Sequence, residues 1–213
     1  RVVKYRGSEH GGDEYPFVLG RNGFAVMPLT SARLDHDVSS ERISTGIVSL
    51  DEMLAGGIYR GSSVLLSGTS GTGKSSIAAH VIDAACQRGE RSLYFALEES
   101  PRQIMRNMNS IGFDLAHREQ SGLLRFHATR PTSGGLERHL TTLMGLADEF
   151  SPQVMVIDPV TAFNTGSDTE RVKSFLIRIV DYCKVRNITT LFTSLTLGGE
   201  AAESTSVEIS SLI

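Results

Sequence analysis

The sequence predicts an α/β fold: a mostly parallel sheet with helices on both faces, preceded by a hairpin and linker arm. Three observations carry it. Short apolar runs alternate with longer stretches of helical periodicity; a glycine-rich loop of phosphate-binding spacing follows the first of those runs; and a later run ends in a carboxylate. Continuous apolar strands separated by amphipathic helices are the pattern of a parallel sheet buried on both faces.

In chain order, residues 1–40 differ from the rest. Phe17 to Gly20 and Phe24 to Leu29 are apolar runs flanking Arg21-Asn22-Gly23, and an Asn-Gly pair between two such runs signals a hairpin. Thr30 to Ser40 is polar and without period, so it reads as a linker, and the main domain is expected from Glu41. The strand candidates that follow are Val64 to Leu66, Leu93 to Leu97, Leu123 to His127, Val154 to Ile157 and Thr190 to Thr193. Between them, Val172, Phe175, Leu176, Ile179, Val180 and Cys183 form one apolar helical stripe, and Leu136, Leu140, Leu143, Ala147 and Phe150 form another. Ser100-Pro101-Arg102-Gln103 carries a cap residue, a proline at the first helical position and a glutamine at the third, which is how a helix starts.

A chain of 213 residues with 40% hydrophobic and 21% charged residues has the composition of an ordinary globular protein large enough for a substantial core. Its net charge of -3 lacks the basic excess of a dedicated nucleic-acid binder, so DNA or RNA is not expected as the principal partner. With no apolar run of 18 residues and a polar start, no membrane association is expected and the expected compartment is the cytoplasm. Cys86 and Cys183 fall on apolar helix faces without metal-binding spacing and read as reduced core thiols. The chain starts at Arg1 rather than Met and stops in an apolar run, and is expected to be a fragment.

Gly68-Thr69-Ser70-Gly71-Thr72-Gly73-Lys74-Ser75 satisfies GxxxxGK[ST]. Glycines allow the backbone to fold so that several N–H groups converge on phosphate oxygens. Thr69 to Ser75 are therefore the candidate ATP-binding residues, Lys74 supplying a point charge to the β and γ phosphates and the Ser75 hydroxyl a magnesium ligand. A strand running into the loop and a helix leaving it, marked by Ile77, Ala78, Val81 and Ile82, provide the required context. Asp158 ends the apolar strand Val154 to Ile157; alone, an Asp before Pro159 suits a turn equally well, but with the phosphate loop upstream it becomes a candidate magnesium holder. Glu98 and Glu99 close the strand before the capped helix. In isolation they could be a solvated acidic pair; beside a nucleotide, Glu98 is the candidate general base and a further magnesium ligand, and Glu99 shares or tunes the base role. Lys74 joins them as a catalytic candidate.

Ser44-Thr45-Gly46-Ile47, Leu50 to Leu54, Gly56-Gly57 and Arg60-Gly61-Ser62, together with Phe95-Ala96-Leu97-Glu98-Glu99-Ser100, resemble the RecA and KaiC superfamily, most closely the second of the two ATPase domains of KaiC, the cyanobacterial clock ATPase and autokinase. The likeness runs over nearly the whole chain. It implies a RecA-like P-loop NTPase that binds Mg2+ and ATP between protomers of a homohexameric ring, with residues 1–40 as the tail of a preceding ATPase domain and its linker, and 41–213 as a C-terminally incomplete ATPase and autokinase domain. It further implies that Lys4, Tyr5, Arg6, Ser8 and His10 reach a neighbouring subunit's nucleotide. Ile209-Ser210-Ser211 lines up with the family's autophosphorylation segment, making Ser210 and Ser211 the implied phosphoacceptors with Thr205 nearby, and KaiA- and KaiB-like clock proteins the implied partners. Ile111 stands where better-known members place a Trp beside adenine, which keeps apolar contact and loses stacking. Two other functions use the same loop: a recombinase-like or helicase-like motor, whose turnover DNA would stimulate, and a nucleotide-dependent scaffold without steady turnover.

Overall fold

A computed structural model of the chain describes residues 17–20, 23–26, 38–164 and 169–196. Strands β1 (Phe17–Gly20) and β2 (Gly23–Val26) pair antiparallel with Gly20 opposite Gly23, the hairpin expected from the Asn-Gly turn. Strand β1 lies against helix α5 (Leu136–Phe150).

The main unit opens with β3 (Arg42–Ile43), paired antiparallel with β4 (Ile58–Tyr59) around the short helix α1 (Val48–Met53). The Ser44 to Ser62 residues that carry the family resemblance build this clip. Asp51 accepts hydrogen bonds from Thr45 N (2.8 Å), Thr45 Oγ1 (2.6 Å) and Ser44 Oγ (2.5 Å). Arg42 donates to the carbonyls of Leu54 (2.6 Å) and Gly57 (2.7 Å) and lies over the Tyr59 ring. Gly57 has φ +112°, and a Cβ there would stand 2.1 Å from the Ile43 carbonyl oxygen, so no other residue fits. Arg60 bridges Glu41 (2.6 Å) and Glu90 (2.8 Å), and Arg88 bridges Glu90 and the Ser44 carbonyl, fastening the clip to the far end of α2 (Lys74–Gln87). Burial alone would raise the Glu90 pKa; its hydrogen bonds from Arg88 and Arg60 outweigh that and hold it below the ordinary carboxylate range.

Five strands then form one parallel sheet: β5 (Ser63–Gly68), β6 (Ser92–Ala96), β7 (Leu124–Ala128), β8 (Val154–Asp158) and β9 (Thr189–Leu195), in the spatial order β5-β9-β8-β6-β7. Every neighbouring pair is parallel, so each connection crosses over, carried by α2, by α3 (Pro101–Asn109) with α4 (Leu115–Gln120), by α5, and by α6 (Thr169–Val185).

The pleat divides the core in two. Leu93, Phe95, Met155, Ile157 and Phe192 face α5 and α6, packing with Leu140, Leu143, Phe175 and Ile179. Their alternates Tyr94, Ala96, Val154, Val156 and Leu191 face α2, α3 and α4, packing with Ala78, Val81, Ile82 and Ile104. The predicted strands and the two striped helices all occur. Helices α1 and α4, each of six residues, are additions: neither is long enough to display a period, and α4 is held by Asp114 Oδ1 accepting from His117 N at 3.0 Å. Cys86 and Cys183 are free and buried, and burial pushes the Cys183 thiol up to about 12. Among the described residues no helix is long and apolar enough to cross a membrane.

Candidate functional site

The carboxyl ends of β5, β6, β8 and β9 meet at a cleft of about 330 Å³. Ligands of open α/β sheets bind at this edge because the crossovers part there and the helices that follow present their N-termini.

One wall is the loop between β5 and α2. Gly71 (φ +80°) and Gly73 (φ +84°) take the left-handed conformation that turns the chain back over the helix start. Thr72 Oγ1 donates to the Thr69 carbonyl (2.9 Å), and the Lys74 ammonium donates to the carbonyls of Gly68 (2.9 Å) and Thr69 (2.7 Å), so hydroxyl and ammonium brace the loop from within. A Cβ on Gly68 would come within 2.8 Å of Thr72 Oγ1. Helix α2 starts at Gly73 with no side-chain cap, leaving its first amides directed at the cleft. Ser70, Gly71, Gly73, Lys74 and Ser75 line the cleft; Thr69 and Thr72 belong to the loop's internal bonding and do not.

Asp158 is the floor. Its Oδ2 accepts from Ser75 Oγ at 3.0 Å and from the Tyr94 hydroxyl, and its Oδ1 accepts from Thr193 Oγ1. No motif in the local sequence pattern marks Tyr94 or Thr193 as a site residue. A tyrosine inside a fully apolar strand is the available signal, since its hydroxyl needs a partner once buried. Burial and the Asp158 charge push the Tyr94 phenol well above its ordinary pKa, so it stays protonated and donates.

The other wall is Glu98 and Glu99, immediately after β6. Ser100 and Gln103 form a reciprocal capping box at the start of α3, with Gln103 N on Ser100 Oγ (3.4 Å) and Ser100 N on Gln103 Oε1 (3.0 Å), so neither glutamate is used as a cap. Glu99 accepts from Asn107 Nδ2 at 3.3 Å, whereas Glu98 makes no hydrogen bond to another described residue. Burial, then the neighbouring Asp158 and Glu99 carboxylates, raise the Glu98 pKa above the ordinary range. Ile104 and Leu195 add apolar lining. Ile111 lies just past α3, 52% exposed, and is not part of the lining. Lys4, Tyr5, Arg6, Ser8, His10, Thr205, Ser210 and Ser211 lie outside the described residues.

The cleft fits a nucleotide tail and a hard cation. Uncapped helix amides and a lysine offer donors to phosphate, and a serine hydroxyl bonded to an aspartate offers the oxygen ligands magnesium takes. Among the described residues no group of three or more His, Cys, Asp or Glu side chains could hold a metal ion, so a cation here would complete its shell from phosphate and water.

A family model described as "ATPase: KaiC" matches residues 43–211. The circadian clock protein KaiC2 of Synechocystis sp. is 50% identical over 216 residues, covering 100% of this chain and 38% of the relative. The circadian clock oscillator proteins KaiC of Picosynechococcus sp. and Thermosynechococcus vestitus are 37% and 38% identical over 195 residues, covering 92% of this chain and 38% of each relative. The chain thus spans little more than a third of the length of these relatives.

Proposed function

This chain belongs to the KaiC ATPase family, and from that premise we propose that it binds Mg2+ and ATP at the 68–75 loop, hydrolyses ATP slowly, and transfers the γ-phosphate to Ser210 and Ser211 across a subunit interface. The observation that carries the proposal is the convergence on one cleft of the braced phosphate loop, the Ser75–Asp158 pair and the Glu98 carboxylate, which no other described residue hydrogen-bonds.

In this mechanism the loop amides and Lys74 hold the β and γ phosphates and stabilise charge that builds on the transferring group. Ser75 and Asp158, with Glu98 beside them, would hold the cation. Magnesium, when bound, would supply positive charge that offsets the charge of the phosphates. Glu98 takes the proton from the attacking oxygen, and Glu99, tied to α3 through Asn107, steadies that end of β6. In either case the bond from the γ phosphorus to the β–γ bridging oxygen breaks and ADP leaves: with water as nucleophile the products are ADP and phosphate, and with a serine hydroxyl they are ADP and a phosphoserine.

The relatives' names support a role in circadian or related timing, and on the family resemblance alone we extend the proposal to the cytoplasm, a homohexameric ring with nucleotide at each interface and KaiA- or KaiB-like partners. The N-terminal Lys4, Tyr5, Arg6, Ser8 and His10 would reach a neighbour's nucleotide, and Ile111 would cover an adenine with an apolar surface in place of a stacked ring. Residues 1–40 are proposed as the tail and linker of a preceding ATPase domain and 41–213 as the ATPase and autokinase domain. Mass spectrometry after incubation with Mg2+ and ATP tests the autokinase. Phosphate on Ser210 or Ser211 is expected; ATP consumed with both serines unmodified would leave an ATPase alone.

A further inference from the structure

Asp158 is tied from both sides of its strand by hydroxyls that no part of the phosphate loop supplies. In the parallel register Ala96 of β6 stands beside Asp158, and Phe192 of β9 beside Ile157, which brings Thr193 level with Asp158 on the other side. Tyr94, Ala96, Val156 and Leu191 all face α2, so the pleat turns Asp158 and Thr193 to the same face, where α2 begins with Lys74 and Ser75. Tyr94 sits two residues below Ala96, and its length carries the hydroxyl up to Asp158 Oδ2 while the ring stays fully buried against Phe126. Thr193, also fully buried, takes Oδ1.

A carboxylate held only by Ser75 could rotate about its terminal torsion, which is broad for aspartate. Donors fixed in the two flanking strands remove that freedom, one on each oxygen, and set the plane in which Oδ2 meets the Ser75 hydroxyl. Neither hydroxyl is replaceable by a surface water, because both side chains are buried at the strand centre.

We propose that Tyr94 and Thr193 are positioning residues that clamp the Asp158 carboxylate between adjacent strands and thereby set the affinity of the site for a divalent cation accompanying a nucleoside triphosphate. The inference rests on the magnesium role proposed for Asp158. Partners that orient a metal-binding carboxylate commonly change metal affinity by about 10- to 100-fold when removed.

The test is calorimetric titration of ATP into the purified protein at a series of Mg2+ concentrations and in EDTA, which requires no turnover. Tyr94→Phe keeps the ring and deletes the donor; the Mg2+ concentration giving half of the full gain in ATP affinity is expected to rise by about tenfold, with the affinity in EDTA unchanged. Thr193→Val should shift it in the same direction, and Thr193→Ser, which keeps the hydroxyl, should not. Should Tyr94→Phe fail to fold, the Thr193 pair decides the matter. An unaltered Mg2+ dependence in the folded variants, or an affinity loss of equal size in EDTA, overturns the proposal. Failure of the underlying magnesium role has a different signature, since the unmodified protein would then bind ATP without regard to Mg2+, and the clamp would fall with it.

Discussion

Replacing Lys74 by alanine is expected to weaken ATP binding at least about 100-fold, roughly 2.7 kcal/mol, and to reduce turnover to background. Lys74 is the only cation lining the cleft among the described residues, opposite the carboxylates Glu98, Glu99 and Asp158. Without it a triphosphate would meet three acidic groups with only backbone amides and its accompanying cation in compensation. Its ammonium rests on the Gly68 and Thr69 carbonyls, each a weaker acceptor than a charged phosphate oxygen, so moving to the ligand strengthens its hydrogen bonds. Calorimetry with ATP measures the loss directly, and a matching thermal melt separates it from unfolding. An affinity within threefold of the unmodified protein would remove the lysine from the site.

Glu98→Gln is expected to abolish hydrolysis and serine phosphorylation together, by about 100- to 10,000-fold, while leaving ATP affinity within about threefold. The substitution preserves size and removes the capacity to accept a proton. Glu98 is suited to that role by position: it lines the cleft across from the loop, and neither the α3 capping box nor Asn107 engages it. Asp158, by contrast, already accepts three hydroxyls, and the acceptor capacity that remains is the part proposed for the cation rather than for proton abstraction. Steady-state turnover and phosphopeptide mass spectrometry on the same preparation check both products. Retained phosphate on Ser210 or Ser211 with hydrolysis abolished would assign the base of the kinase reaction to another group.

Much of the scaffold was legible because it is written in local pattern. A parallel strand buried on both faces is a run of apolar residues such as Val154 to Ile157, and a helix on a sheet is a stripe such as Val172 to Cys183. The phosphate loop is defined by spacing, and the strand and helix that flank it lie where that spacing requires. Sheet order is not local: that β9 would insert between β5 and β8 depends on crossovers that no window of sequence displays. For the same reason Tyr94 and Thr193 read as ordinary strand residues, although register carries both to Asp158. The Ser44 to Arg60 run was recognisable only by resemblance, and its physical purpose, a hydrogen-bonded clip on the end of α2, emerges from Asp51, Arg42 and Arg60 acting across as many as 30 residues. Ile111 marks the opposite limit, since an exposed position just past α3 has no partner in the cleft of its own chain to define its role.

The most direct measurement of the central claim is an experimental structure of the protein with Mg2+ and a non-hydrolysable ATP analogue. The β and γ phosphates are predicted within hydrogen-bonding distance of the 70–75 amides and Lys74 Nζ, with the cation beside Ser75 and Asp158. Phosphates seated elsewhere, with the loop still closed on its own lysine, would contradict the account.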